Sequence, residues 1–112
     1  MMKDKVAAIW CRVSTSDQRE MSLDSQEEAV RKVLDKQGLE APPQYVLKVD
    51  WTSLDLMACP QFQQLRGWIA SGEISAVGVL DRDRLQAQGL QRLLFLSECQ
   101  EHGVSVITAQ GL

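Results

Sequence analysis

The sequence has no excess of positive charge. Its 12 lysines and arginines are outnumbered by 15 aspartates and glutamates, which gives a formal net charge of −3 at pH 7. A segment that grips nucleic acid unaided carries a basic footprint, so this balance argues against strong DNA binding by the segment alone. Long hydrophobic runs are also lacking. Met1-Met2-Lys3-Asp4-Lys5 is followed by an apolar stretch too brief for a signal peptide or a membrane span, and a cytoplasmic setting is expected. The chain has one histidine, His102, and three cysteines, Cys11, Cys59 and Cys99. These match no zinc spacing, and an odd, scattered set of thiols fits a reducing compartment better than a disulfide framework. No metal or other cofactor is expected. There is no glycine-rich phosphate loop and no Cys-x5-Arg signature, which weakens nucleotide-binding and phosphatase readings. No linker, low-complexity segment or internal repeat interrupts the 112 residues, so residues 1–112 read as one domain with a modest core.

What is present is an alternation of short apolar runs and helical periodicities. Val6 to Cys11 is a continuous apolar run, the pattern of a strand buried on both faces of a parallel sheet. Arg12 to Leu23 is polar and reads as a loop. Asp24 followed by Glu27 reads as an N-cap with its capping-box partner, and Ala29, Val30, Val33 and Leu34 recur at helical spacing up to Gly38. Pro42 and Pro43 mark a connection, Tyr45 to Val49 a second strand, and Trp51 to Cys59 an irregular segment. Pro60 suits the first turn of a second helix, with Phe62, Leu65, Trp68 and Ile69 on one face and Gly72 at its end. Ala76 to Leu80 is a third strand and Asp81 to Gly89 a polar loop. Leu90, Leu93, Leu94 and Leu96 mark a third helix closed by Gly103, and Val104 to Thr108 is a fourth strand. This alternation predicts an α/β fold: a single three-layer domain with a mostly parallel central sheet and helices on both faces.

In such sheets ligands sit beyond the carboxyl ends of the strands. Arg12, Ser14, Asp50, Asp81, Arg82, Asp83 and Arg84 all fall at or just past those ends. A serine hydroxyl is a weak nucleophile unless its surroundings help it. A guanidinium two residues away can hold a phosphate bidentately, and in phosphoryl transfer such positioning and charge neutralisation are most of the help required. No histidine lies in this segment, so a hydrolase triad is poorly supported. Arg84 can neutralise developing charge but is a poor base, because a guanidinium stays protonated. Asp83 is the better group for proton traffic, or it orients Arg84. Asp50 reads as a brace for a loop or an arginine, and Gln18 and Gln26 as hydrogen-bonding support. Trp10 is placed to pack beneath the site, Trp68 reads as core, and Trp51 lies in the irregular segment.

Trp10-Cys11-Arg12-Val13-Ser14-Thr15-Ser16-Asp17-Gln18 closely resembles the active-site motif of the serine recombinases, the resolvase and DNA-invertase family. Trp10 stands where the family has tyrosine, while Arg12, Val13, Ser14, Thr15 and Gln18 keep its pattern. Ser22-Leu23-Asp24-Ser25-Gln26, Gly72-Glu73-Ile74, Asp83-Arg84-Leu85 and Gly103-Val104-Ser105-Val106 extend the likeness, in order, over nearly the whole chain. The resemblance implies a resolvase-like catalytic domain for site-specific DNA recombination. In it Ser14 attacks a DNA phosphate, forms a phosphoserine link to a 5′ end and frees a 3′ hydroxyl. Religation follows within a dimer or tetramer, without metal or ATP. Arg12 and Arg84 would hold the scissile phosphate, and Asp83 and Gln26 would support the site. Double-stranded DNA is the implied partner, reached through a longer protein, because the family's long C-terminal helix and DNA-binding module have no counterpart in residues 1–112.

Besides Trp10, the chain departs from the family at three points. The arginine usually found just before the second helix is Cys59, the last arginine of the Asp-Arg-Leu-Ser-Arg loop is Ala87, and the glycine of the family's Ser-Gly is Leu54. Two readings follow: an active recombinase domain, or an impaired or inactive relative that serves as an interaction module or remnant.

Overall fold

A computed structural model describes residues 5–14, 21–53, 55–85 and 89–110, and of Arg82 and Asp83 the backbone only. Among the described residues four strands and three helices alternate: β1 (Ala7–Val13), α1 (Leu23–Lys36), β2 (Val46–Asp50), α2 (Pro60–Ser71), β3 (Ala76–Val79), α3 (Gly89–Glu101) and β4 (Ser105–Thr108). The sheet order is β2-β1-β3-β4 and every pairing is parallel. The chain leaves β1 for β2 on one side and returns past β1 to β3 on the other. The order therefore reverses between β1 and β3, the kind of switch point beyond whose carboxyl ends ligands sit in such sheets.

Strand alternation sends successive side chains to opposite layers. Ala7, Ile9 and Cys11 pack with Val30 and Leu34 of α1. Ala8, Trp10, Val77 and Val79 pack with Phe62, Leu65 and Ile69 of α2 and with Phe95 and Cys99 of α3. This is the expected three-layer arrangement, with helices on both faces. Trp10 is fully buried and meets Phe62 edge-on at 5.6 Å. Trp68 is only partly buried and stands edge-on to Tyr45 at 4.8 Å, at the margin of the core it was expected to enter.

Ionic contacts tie the layers at their rims. Lys48 of β2 reaches Asp24 at 2.7 Å and Glu27 at 2.9 Å, and Glu27 also pairs with Arg31 at 2.8 Å. These cations hold the Asp24 and Glu27 carboxyls below the usual carboxylate range, through hydrogen bonding from Lys48 above all. Arg66 of α2 grips Glu98 of α3 through two nitrogens.

Several local expectations are corrected. β1 runs two residues further than the apolar pattern, because Arg12 pairs with Val49 and Val13 with Asp50. Arg12 is thus a strand residue and not part of a loop. The N-cap of α1 is Ser22, whose Oγ accepts from the Ser25 N–H at 3.1 Å. Asp24 and Glu27 instead serve Lys48, which offers each a full charge. Segments read as a connection, an irregular stretch and a loop contain 3-10 turns at Pro43–Tyr45, Leu56–Ala58 and Arg82–Leu85. The leucines that marked the third helix do not face the core. Leu90 and Leu93 are 70% and 65% exposed, Leu94 and Leu96 are exposed as well, and Phe95 and Cys99 carry the packing at i, i+4 spacing. Gly72, at φ 80°, closes α2 as expected.

The seating of α1 depends on Gly78 in β3. A Cβ there would lie 2.5 Å from Val30 Cγ1 and 3.3 Å from Leu34 Cδ1. Val30 is β-branched and stiff in a helix, so it cannot swing aside cheaply. Gly78→Ala should therefore lower stability by roughly 1–3 kcal/mol, and Val30→Ala in the same chain should recover part of that loss. Urea titration of the single and double variants reads both effects.

Candidate functional site

The candidate site at the carboxyl end of β1 is built around the peptide of Arg12. Gln26 follows the same stripe of α1 as Val30 and Leu34, four and eight residues on, and is completely buried. Its Oε1 accepts from the Arg12 N–H at 3.1 Å, and its Nε2 donates to the Arg12 carbonyl at 3.0 Å and to the Met21 carbonyl at 3.0 Å. One neutral amide thus satisfies both sides of a strand residue and anchors the start of α1. The same Arg12 carbonyl accepts a longer bond, 3.4 Å, from Arg84 Nη1.

The Arg12 guanidinium is held from the neighbouring strand. Trp51 donates its N–H to the Val13 carbonyl at 2.9 Å, continuing the β1–β2 ladder one step past Asp50. Its own carbonyl accepts from Arg12 Nε at 3.0 Å. Beyond it, Ser14 Oγ, half-buried, donates to Thr52 Oγ1 at 3.3 Å. Trp51 itself is partly buried against the core, and its indole nitrogen is buried with no hydrogen-bond partner among the described residues.

Arg84 comes from the 3-10 turn after β3. Its N–H bonds to the Asp81 carbonyl at 3.2 Å, and its Nε lies 3.6 Å from Asp81 Oδ1. Its carbonyl accepts the buried indole N–H of Trp10 at 2.7 Å, so Trp10 braces the loop from beneath, as its position next to the motif implied. Arg12 and Arg84 are 5% and 9% exposed. Two cations with so little water are expensive unless hydrogen-bonded, and the carbonyls and Asp81 meet part of that cost.

The structure therefore brings together Ser14, Arg12, Gln26 and Arg84, drawn from β1, α1 and the loop after β3. Asp50 stands at the end of β2 beside Val13, with its side chain exposed. The side chain of Asp83, and Gln18 and Ala87 entirely, lie outside the described residues. Cys59 is fully buried at the N-cap of α2, with its thiol 3.4 Å from Gln61 Oε1. Among the described residues no three His, Cys, Asp or Glu side chains could hold a metal ion, and no helix is long and apolar enough to cross a membrane.

Sequence reasoning missed Thr52, the Trp51 carbonyl and Asp81 as direct partners of Ser14, Arg12 and Arg84. Their only sequence signal is position, within two residues of the end of a parallel strand. Gln26 had a stronger signal, a polar residue extending the buried 30–34 stripe by one turn.

A family model described as Resolvase, N terminal domain, matches residues 7–112. No curated protein matches the sequence. Among solved structures, the C-terminal catalytic domain of ISC1926 TnpA, an IS607-like serine recombinase, superposes with a TM-score of 0.78 at 22% identity, covering 96% of this chain and 71% of that one. The N-terminal catalytic domain of TP901-1 integrase gives 0.74 at 23% identity, covering 94% and 77%. A serine recombinase from Sulfolobus solfataricus gives 0.63 at 24% identity, covering 96% and 71%. At these identities the structural likeness establishes a shared fold.

Gln26→Leu preserves the stripe but leaves the Arg12 N–H without its acceptor in a dry site. An unsatisfied buried group costs ~1–3 kcal/mol, so the variant should unfold at lower urea by about that amount. Gln26→Glu sets a buried carboxylate against the Arg12 and Met21 carbonyls and should lower stability at least as much at neutral pH. Equal midpoints for Gln26→Leu and the parent would show that the clamp contributes nothing.

Proposed function

The chain belongs to the resolvase family of serine recombinases, and on that footing we propose that it is a DNA strand-cleaving domain in which Ser14 is the nucleophile. The observation that carries this reading is a pair of buried arginines at one strand end: Arg84 Nη1 reaches the carbonyl of Arg12, and the Arg12 guanidinium is tied to the Trp51 carbonyl, next to Thr52, the partner of Ser14. Two cations at the carboxyl end of a central strand, with a half-buried hydroxyl two residues along the chain, suit a phosphodiester.

In the proposed reaction Ser14 Oγ forms a bond to phosphorus as the bond from phosphorus to the 3′ oxygen breaks. The serine hydroxyl gives up a proton and the departing 3′ oxygen takes one, so protons balance. One phosphoester replaces another, and no energy source is consumed. The products are a phosphoserine link to the 5′ end and a free 3′ hydroxyl, and reversal onto another 3′ end religates the strand. Arg12 and Arg84 neutralise the charge on the phosphoryl oxygens. Asp83 handles a proton or orients Arg84, and Gln26, Gln18 and Asp50 support the site. Double-stranded DNA is the substrate. With a net charge of −3 the domain relies on a basic module of a longer protein for affinity. Three buried free thiols fit a cytoplasmic setting.

A second reading, an inactive relative kept as an interaction module, is favoured by one observation. Cys59 is sealed in the core and supplies no charge where the resemblance places an arginine, and Ala87 is a second such position. Loss of one transition-state cation costs ~100-fold or more in rate. The discriminating experiment uses the full gene product and a supercoiled plasmid carrying the DNA that flanks its gene. Denaturation should trap a slow covalent adduct on Ser14, identified by mass spectrometry. Ser14→Ala should abolish it and Ala87→Arg should raise its rate ~10-fold or more. If neither parent nor Ala87→Arg forms an adduct, the inactive reading stands.

We also propose that the domain works as a dimer or tetramer joined through α3, whose Leu90, Leu93 and Leu94 are exposed together. Light scattering should find an assembled species in the parent and a monomer in Leu93→Lys. A monomeric parent at high concentration would count against assembly through this face.

A further inference from the structure

The segment that follows β2 supplies the contacts that aim the nucleophile, although it carries no charge at those points. Trp51 and Thr52 are consecutive and touch the two key side chains of β1 in matching order. The Trp51 carbonyl takes Arg12 Nε at 3.0 Å, and Thr52 Oγ1 takes the Ser14 hydroxyl at 3.3 Å. The paired strands end at Val13 and Asp50, and the Trp51 N–H bonds to the Val13 carbonyl at 2.9 Å, which holds the segment after β2 against the end of β1.

We propose that Thr52 is a positioning residue for Ser14, a reading that rests on Ser14 being the nucleophile. A serine hydroxyl in a half-open site rotates among three χ1 wells. An acceptor on the neighbouring strand selects one of them and draws the proton sideways along the sheet. The oxygen then keeps a fixed place relative to Arg12, whose guanidinium is tied to the same segment. Thr52 suits this task because it is β-branched, so its own χ1 is restricted and its oxygen is well placed. At 3.3 Å the bond is longer than the usual O–H···O distance. It orients the hydroxyl without competing strongly with an incoming phosphate. Thr52 is exposed and packs no core, so its substitution leaves the fold intact.

Thr52→Val removes the hydroxyl and keeps the shape, and Thr52→Ser restores the hydroxyl. The Hα–Hβ couplings of Ser14, measured by NMR on the DNA-free protein, should report one dominant rotamer in the parent and in Thr52→Ser, and averaged rotamers in Thr52→Val. Adduct formation with the flanking-DNA plasmid should slow about 3- to 10-fold in Thr52→Val and recover in Thr52→Ser. Unchanged couplings in Thr52→Val would overturn the proposal. If neither the parent nor Ala87→Arg forms an adduct, the nucleophile assignment fails by itself, while the couplings still decide whether Thr52 orients Ser14.

Discussion

The site depends on a single side-chain amide. Gln26 closes a two-way hydrogen-bonded contact with the peptide of Arg12, and with its remaining donor capacity fixes the Met21 carbonyl. A strand that outruns one of its neighbours has peptide groups with no ladder partner on that side, and buried orphans of this kind are rarely tolerated. Here β3 pairs with β1 only as far as Trp10, whereas β2 pairs with it to Val13. The amide of α1 meets the Arg12 peptide in that unpaired stretch. It also locks the first turn of α1 to the carboxyl end of β1, so the helix layer and the site share one anchor.

Much of this architecture is visible in the sequence because its causes are local. Continuous apolar runs mark parallel strands, and Gly38, Gly72 and Gly103 close the three helices. What is not visible depends on partners far along the chain. β1 extends through Arg12 and Val13 only because β2 lies beside it. Asp24 abandons the capping role because Lys48 outbids a backbone N–H. The leucines of α3 satisfy a helical spacing, yet Phe95 and Cys99 win the core. Apolar spacing reports that a face exists, not which of two candidate faces the sheet will accept.

The same division holds at the site. Ser14 and Arg12 stand out because a hydroxyl and a cation lie two residues apart at the end of an apolar strand. Arg84 stands out by its place after a strand. The groups that Arg12 and Ser14 touch are a backbone carbonyl and a threonine, which any chain supplies in abundance. Geometry and charge also separate. The peptide of Arg12 is fully bonded, whereas two positions where the resemblance places arginine are occupied by Cys59 and Ala87. The backbone frame is thus kept while two charges are not.

The three cysteines have a practical consequence. All are at most 2% exposed, and burial pushes the Cys11 and Cys99 thiols up to about 12, so little reactive thiolate forms at neutral pH. Burial therefore shields the three native thiols in the folded chain. A cysteine introduced at a half-open position such as Ser14 becomes the one accessible thiol, and it can carry a spectroscopic probe with none of the native cysteines removed.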